Sequence, residues 1–385
     1  MTGTSHHQHT HAPIRIGIML RAFDEQGGIG VYARNIVQEL LNLDRHNQYV
    51  LFYANADNIG RFGGFDNVIE RKVRAPGRAL WDQVCIPLAC RRDRIDVVFH
   101  PKFTAPLLAP CKAVMVVHGA DWFIPEQARF YNRFDVMYIR AVMPYYVKKC
   151  SAVISVSQLT TDNFYRVLDL PKGKVQTVYF APARHFKRVE DTNILGGVKR
   201  RYNLPDQFIL TLTKRGGGGR KNLGQVIKAY QHYHRQAKNP YKLVIGGKDC
   251  HLFRDEYGIP QCDYGRDILF PGWIEQKDLP ALYSMAGLYL YPSNLEAFPI
   301  PLTEAMACGT PIITSNVNGL EEIAGDAALR VDPSDETEIS EAVLKVLSNN
   351  ELGQKLSVRG LERSAMFTWD ACARETLAIL ENVAS

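Results

Sequence analysis

Residues 208–223 read F-I-L-T-L-T-K-R-G-G-G-G-R-K-N-L. Phe208-Ile209-Leu210-Thr211-Leu212 has the length and composition of a buried strand, and the spacing predicts a helix from about Leu223 to Arg235 after the glycines. Four glycines at a strand-to-helix turn permit positive φ and let backbone come close to a ligand. The start of the chain has the same order. A strand, Ile14-Arg15-Ile16-Gly17-Ile18-Met19-Leu20, leads to the loop Gly27-Gly28-Ile29-Gly30, then to a helix from about Val31 to Leu43 with Ile36, Leu40 and Leu43 at helical spacing. The pattern therefore begins twice.

Between the two starts lie the apolar runs Tyr49–Tyr53, Val97–Phe99, Ala113–Val117 and Ala152–Val156, separated by helical stretches. After the second come Lys242–Ile245, Ile268–Phe270, Leu288–Tyr291 and Pro311–Thr314. Short continuous apolar strands alternating with helices describe parallel sheets covered on both faces. The fold class is α/β, with two Rossmann-like doubly wound parallel-sheet domains facing a central cleft, where ligands bind outside the carboxyl ends of the strands. The boundaries read as a disordered His-rich tail over 1–13, a first domain over 14–185 and a polar linker over 186–201 interrupted by Gly196-Gly197. A second domain over 202–366 and a final helix over 367–385 follow, the helix carrying Leu377, Ile379, Leu380 and Val383 and placed to cross back to the first domain.

The 385 residues are too many for one ordinary domain. With 46% hydrophobic and 22% charged residues the composition is that of a soluble globular protein, and no apolar run reaches the roughly 18 residues of a membrane span. No apolar segment at the N-terminus reads as a signal peptide. The eight cysteines are scattered without a C-x-x-C pair, which points to reduced thiols in a cytoplasmic protein. Cys250, His251 and Cys262 lack a fourth ligand, and no metal site is expected. Residues 1–185 hold 23 Lys/Arg against 15 Asp/Glu, whereas 186–385 hold 23 against 25. A basic first half without a nucleic-acid motif points to an anionic membrane surface, at the inner face of the membrane, or to an acidic acceptor; a merely solvated basic face is the alternative.

Candidate chemistry concentrates in Tyr291–Ile313, Y-P-S-N-L-E-A-F-P-I-P-L-T-E-A-M-A-C-G-T-P-I-I. Glu296 and Glu304 lie eight apart, at a strand end and on the following helix. A helix N-terminus there suits a phosphate, while the carboxylates repel phosphate and accept hydrogen bonds from hydroxyls. The expected ligand bears both. Arg215 and Lys221, flanking the glycine turn, are placed to cradle a diphosphate, and the turn is not a Walker A loop because Asn222 follows Lys221. Gly28-Ile29-Gly30-Val31-Tyr32-Ala33 fits G-x-G-x-x-A, but six residues separate it from the strand, and no acidic residue ends the next strand to hold a ribose, so it does not read as a nicotinamide-cofactor site.

The segment E-A-F-P-I-P-L-T-E-A-M-A-C-G-T-P resembles the E-x7-E signature of retaining glycosyltransferase family 4, which has the GT-B fold. The likeness runs from the G-G-x-G loop, through R-x5-K at Arg215 and Lys221, to G-D-A-A-L-R-V-D-P over 325–333. The resemblance implies a metal-independent hexosyltransferase that moves a mannose- or glucose-type sugar from a GDP- or UDP-linked donor to a glycan or lipid-linked acceptor, in polysaccharide or glycolipid synthesis. It implies catalytic roles for Glu296 on the sugar hydroxyls, Arg215 and Lys221 on the diphosphate, and His118 against the reacting sugar. It places Glu304 on the ribose, Gly272 and Ile274 near the base, Phe298, Pro299 and Ile300 near phosphate and sugar, and Gly27 and Gly28 in the closing loop. No separate cofactor is implied, and no D-x-D metal motif occurs. The chain departs from the pattern at Ala297, Pro299, Lys214, V-Y-F-A-P-A (178–183) and His118-Gly119, which has no adjacent Asp. A non-catalytic nucleotide-sugar-binding protein and a GT-B epimerase or phosphorylase are the alternatives. The aromatic and basic residues of 129–149 suit a membrane surface or core packing.

Overall fold

The structure is a computed structural model that describes residues 12–25, 27–213 and 219–385. Residues 1–11 of the expected tail, and Arg215, lie outside the described residues. The first half contains β1 (Arg15–Met19), α1 (Gly28–Leu43), β2 (Gln48–Tyr53), β3 (Val68–Lys72), β4 (Val97–His100), β5 (Lys112–Val117), α2 (Arg133–Lys149), β6 (Ala152–Ser155) and β7 (Val175–Thr177). The second contains α3 (Thr192–Arg201), β8 (Phe208–Leu212), α4 (Leu223–Gln236), β9 (Lys242–Gly246), β10 (Ile268–Gly272), β11 (Leu288–Tyr291), α5 (Ile300–Ala307), β12 (Ile312–Ser315), α6 (Asn318–Ala324), β13 (Leu329–Val331) and α7 (Trp369–Ala384).

The strands form two sheets in the orders β3-β2-β1-β4-β5-β6-β7 and β10-β9-β8-β11-β12-β13. Every described pairing is parallel. Each sheet reverses direction of winding beside its first strand, between β1 and β4 and between β8 and β11. Such switch points open a crevice at the carboxyl ends of the strands. The central strands are buried on both faces, which is why they read as unbroken apolar runs. Gly17 in β1 is required by packing, since a Cβ there would lie 2.9 Å from the Phe52 ring and 3.1 Å from Ile95.

Within 186–201, residues Thr192–Arg201 form a helix despite Gly196-Gly197. The Asp191 carboxylate caps it by accepting from the N–H groups of Asn193 and Ile194, and Val198 is buried. The last helix lies against the first domain. The Trp369 indole donates to the Pro182 carbonyl at 3.0 Å, and the Asn47 amide donates to Glu381 at 2.9 Å. The Trp369 ring sits 5.9 Å from Tyr32 of α1. The aromatic pair Phe180–Phe298, with centroids 4.0 Å apart, packs the same junction from the other side.

Candidate active site

The glycine turn and the loop after β11 are stitched together along their backbones. Asn294 N–H donates to the Arg220 carbonyl at 2.8 Å, and the Ser293 hydroxyl donates to it at 2.9 Å. Asn222, in the left-handed conformation at φ 59°, donates its side-chain amide to Pro292 O at 2.9 Å and to Pro333 O at 2.6 Å. These contacts bring Lys221 and Glu296 into register. Lys221 Nζ lies 2.5 Å from Glu296 Oε1 and also donates to the Tyr291 hydroxyl. Tyr291 donates to the same carboxylate oxygen at 2.9 Å, the Ser293 hydroxyl oxygen lies 3.1 Å from it, and Arg220 lies 3.9 Å from Oε2.

Glu296 is only 6% exposed. Burial pushes its pKa up, but Lys221 and Arg220 pull harder and the net shift is downward, so the carboxylate stays ionised. Arg220 is correspondingly held more firmly protonated by Glu296. The backbone of Glu296 is fixed from behind, because its carbonyl accepts from Gly319 N–H of α6 at 2.9 Å. A Cβ at Gly319 would lie 2.3 Å from Ala297 O and 2.6 Å from Glu296 O, so only glycine lets α6 approach this closely.

Glu304, on α5, has a different environment. It is equally buried, and its one described hydrogen-bond donor is the Tyr283 hydroxyl at 3.2 Å. Burial without a cation pushes its pKa up to about 8. The two carboxylates therefore sit in opposite charge states at neutral pH, and the field of both reaches Tyr289, which lies between them. Pro299 caps the N-terminus of α5, and Ile300 is its first residue. Phe298 points its ring into the junction of the domains, against Phe180 and, at 5.8 Å, Phe367. Gly272 ends β10 at φ 82° with open space around the position of a Cβ, and Ile274 is buried in the core. Gly27 precedes α1 at φ 105°, and a Cβ on Gly28 would lie 3.3 Å from the Ile300 side chain. The N-terminal glycine loop thus faces the start of α5 across the cleft.

His118 stands at the end of β5 with Nε2 3.1 Å from the Pro101 carbonyl and its ring edge-on to Tyr32. Burial lowers its pKa to about 4, and the Lys102 ammonium adds to this. Beside it Lys102 forms an ion pair with Glu25. Asp121, three residues after His118, accepts a 2.6 Å hydrogen bond from Tyr131. Its pKa is raised by burial against the pull of Arg220, with Glu296 adding to the rise. Asp121 and Tyr131 therefore face the Arg220–Glu296 pair from the other domain.

The spacing of the sequence brought out Lys221, Glu296 and Glu304 but passed over Arg220, Tyr291, Ser293, Gly319 and Asp121. H-G-A-D at 118–121 was the available signal for Asp121, displaced by two residues from the expected place. No group of three or more metal-ligating side chains occurs among the described residues. The arrangement supplies two cations beside a buried carboxylate anion, and a neutral carboxyl on the following helix.

Comparison with known proteins bears on the fold and the family. A model of family-4 glycosyltransferases matches residues 26–180, and a model of group 1 glycosyl transferases matches residues 199–363. The O-antigen chain mannosyltransferase B of Escherichia coli is 26% identical over 373 residues, covering 91% of this chain and 94% of its own. A glycosyltransferase from Rickettsia africae has the same fold, with a TM-score of 0.75, 16% identity, and coverage of 97% of this chain and 99% of its own. Anabaena HepE, in complex with UDP and glucose, superposes with a TM-score of 0.73 at 14% identity over 96% of this chain and 100% of its own. The chain belongs to the GT-B glycosyltransferase superfamily, with a family-4-type first domain and a group-1-type second domain.

Proposed function

We propose that this enzyme transfers a hexose, with mannose from a nucleoside diphosphate sugar the first expectation, to a glycan or lipid-linked acceptor with retention of anomeric configuration. The observation that carries the reading is the Lys221–Glu296 contact at 2.5 Å, which sets a cation and a hydroxyl acceptor side by side at the cleft. The similarity to an O-antigen chain mannosyltransferase supports mannose as the sugar.

On this reading Lys221, Arg220 and Arg215 take the diphosphate, and the N-terminus of α5 points N–H groups at it. Glu296, relieved of Lys221, accepts hydrogen bonds from the sugar hydroxyls. Glu304 takes the ribose hydroxyls, Gly272 and Ile274 border the base, and Gly27 and Gly28 close over the phosphates. The bond from the anomeric carbon to the phosphate oxygen breaks, and the acceptor oxygen bonds to that carbon on the same face. Its proton goes to the departing phosphate oxygen. Negative charge grows on the leaving group, where preorganised cations lower the barrier most. His118 is neutral at physiological pH and serves as a wall and hydrogen-bonding group against the sugar. The test is product formation with GDP-mannose and UDP-glucose in turn, each with an acceptor glycan, with the anomeric configuration read by NMR. An inverted product or absence of turnover with both donors contradicts the reading.

A second feature bears on the acceptor. Leu80, Val84 and Leu88 project from the helical segment 78–92, and Leu108 lies near them, with Leu88 63% and Leu108 75% exposed. On α2, Phe134, Met137 and Tyr145 are also exposed, with Arg133, Arg140 and Lys148 among them. Exposed apolar side chains with a basic rim support peripheral docking on an anionic bilayer. No helix among the described residues is long and apolar enough to cross a membrane. Sedimentation with anionic vesicles, lost in Leu80→Ser/Val84→Ser/Leu88→Ser, tests it; equal sedimentation of both proteins refutes it.

A further inference from the structure

We propose that Glu322 is a positioning residue that fastens the second domain to the first and sets the Glu296 loop in register across the cleft. The consequence for turnover rests on the glycosyltransferase reading above; the fastening itself does not.

Three hydrogen bonds from the first domain end on this one carboxylate. Gln158 N–H donates to Oε1 at 2.7 Å, Leu159 N–H donates to Oε2 at 2.9 Å, and the Tyr179 hydroxyl donates to Oε1 at 2.8 Å. Gln158 and Leu159 open the helix Gln158–Val167, and the first amides of a helix have no partner inside it. The Ser157 hydroxyl accepts from Thr160 N–H at 3.2 Å, while the two amides before it fall to a carboxylate 163 and 164 residues away in sequence. A carboxylate at this place also meets the positive end of the helix dipole. Tyr179 belongs to V-Y-F-A-P-A (178–183), one of the departures from the family pattern, and Phe180 beside it packs on Phe298. That segment therefore supplies part of the first domain's face of the contact.

The other end of the contact leads to the site. Glu322 stands on α6, three residues after Gly319, whose N–H holds the Glu296 carbonyl at 2.9 Å. Three residues of helix rise about 4.5 Å, less than one turn, which leaves little length to absorb a displacement. α6 is fixed along that length. Leu320, Ile323 and Ala324 are fully buried, and Arg363 donates to the carbonyls of Glu322 at 2.7 Å and Ile323 at 3.0 Å. A guanidinium on the last carbonyls of a helix also matches its negative end. The path from the first domain to the Glu296 backbone is thus one carboxylate and under a turn of clamped helix. The bonds from Gln158 and Tyr179 lie at the surface, where water replaces them when the domains part, so the fastening opens without orphaning a buried group.

The test separates the amide of Gln158 from its side chain. Proline is tolerated at the first position of a helix, and Ser157 is already extended at φ −156° and ψ 156°, as suits the residue before a proline. Gln158→Pro removes one donor to Glu322 and keeps the helix, whereas Gln158→Ala removes the side chain and keeps the donor. In hydrogen exchange on the full-length, donor-free protein, Gln158→Pro and Glu322→Gln should speed exchange over 318–325 about fivefold to tenfold, the scale of one lost hydrogen bond to a charged group. Gln158→Ala should match the wild type. With sugar donor and acceptor glycan, Gln158→Pro and Glu322→Gln should lose about tenfold to a hundredfold in kcat, as for a misplacement of about 1 Å remote from the chemistry, with the affinity for GDP or UDP unchanged. Unchanged exchange in both, unchanged kcat in both, or equal losses in Gln158→Pro and Gln158→Ala overturns the proposal. Should Gln158→Pro fail to fold, Glu322→Gln and Tyr179→Phe carry the same readouts. Faster exchange in these variants of a protein whose wild type turns over no donor sinks the enzyme reading and upholds the fastening.

Discussion

On the proposed assignment of Glu304 to the ribose, its raised pKa makes donor binding a proton-releasing event. In the free protein its carboxyl titrates at about 8, pushed there by burial, with the neutral Tyr283 hydroxyl as its described donor. An ionised carboxylate offers both oxygens as strong acceptors to the two hydroxyls of a ribose, whereas the protonated form keeps one of them occupied by its own proton. At pH 7 about a tenth of the molecules are in the ionised form, a gap of about 1.4 kcal/mol. The apparent affinity for a nucleoside diphosphate should therefore rise about tenfold from pH 7 to pH 9, and binding at pH 7 should release about 0.9 proton. Calorimetry in two buffers of different ionisation enthalpy reads that proton directly. Glu304→Gln should bind without releasing it and with an affinity flat in pH. Stability should move the other way. A carboxyl whose folded pKa is raised binds its proton in the native state while the unfolded chain has lost it, so stability falls as pH rises from roughly 4.3 to about 8. The glutamine variant escapes this loss and should melt higher than the wild type at pH 8. Nucleotide binding with no proton release, or the same release in Glu304→Gln, would show that the ribose does not meet this residue.

Lys221→Ala should lower kcat on the order of 10²-fold, as loss of one donor to a developing anion does. It should also destabilise the fold by about 3 kcal/mol, because among the described residues Glu296 is left buried with Arg220, 3.9 Å away, as its one cation; in Lys221→Ala/Glu296→Gln the melting temperature should recover and the turnover should not. Gly319→Ala, whose methyl would meet Ala297 O at 2.3 Å, should cost about 1–3 kcal/mol in denaturant titrations and weaken donor binding by displacing the Glu296 loop. His118, with its pKa lowered by burial to about 4, charges only below that pH, so kcat profiles of the wild type and His118→Gln should show no differing limb between about pH 5.5 and 8.

The fold was legible because parallel strands buried on both faces leave unbroken apolar runs, and all eight further runs named between the glycine loops and the C-terminus are strands. Three of the four edge strands were not. β3 reads V-I-E-R-K, β7 V-Q-T and β13 L-R-V, too short or too polar to stand out without their neighbours. The helix α3 was hidden by Gly196-Gly197, whose cost is offset by the Asp191 cap and tertiary packing that no local window contains. At the site, Glu296, Glu304 and Lys221 were visible through spacing. Their opposite protonation states were not, because these depend on Arg220 and Lys221 reaching one carboxylate across more than seventy residues of sequence and, among the described residues, on Tyr283 as the donor reaching the other.

The pairing of Lys221 with Glu296 bears on why the proposed ligand must carry phosphate and sugar together. In the structure each buried charge satisfies the other at 2.5 Å. A bare phosphate that drew Lys221 away would leave Glu296 beside an anion, and a bare sugar that drew Glu296 away would leave the ammonium uncompensated. Breaking a buried pair from one side costs about 3–5 kcal/mol, which neither fragment returns by itself. A nucleoside diphosphate sugar replaces both partners at once, phosphate oxygens for the lysine and hydroxyls for the glutamate, so the exchange closes without an orphaned charge. Selectivity for the intact donor over its hydrolysis products then follows from the resting contact. Its signature is non-additive binding, in which the intact donor binds more tightly than the sum of the free energies of the diphosphate and the free sugar measured separately.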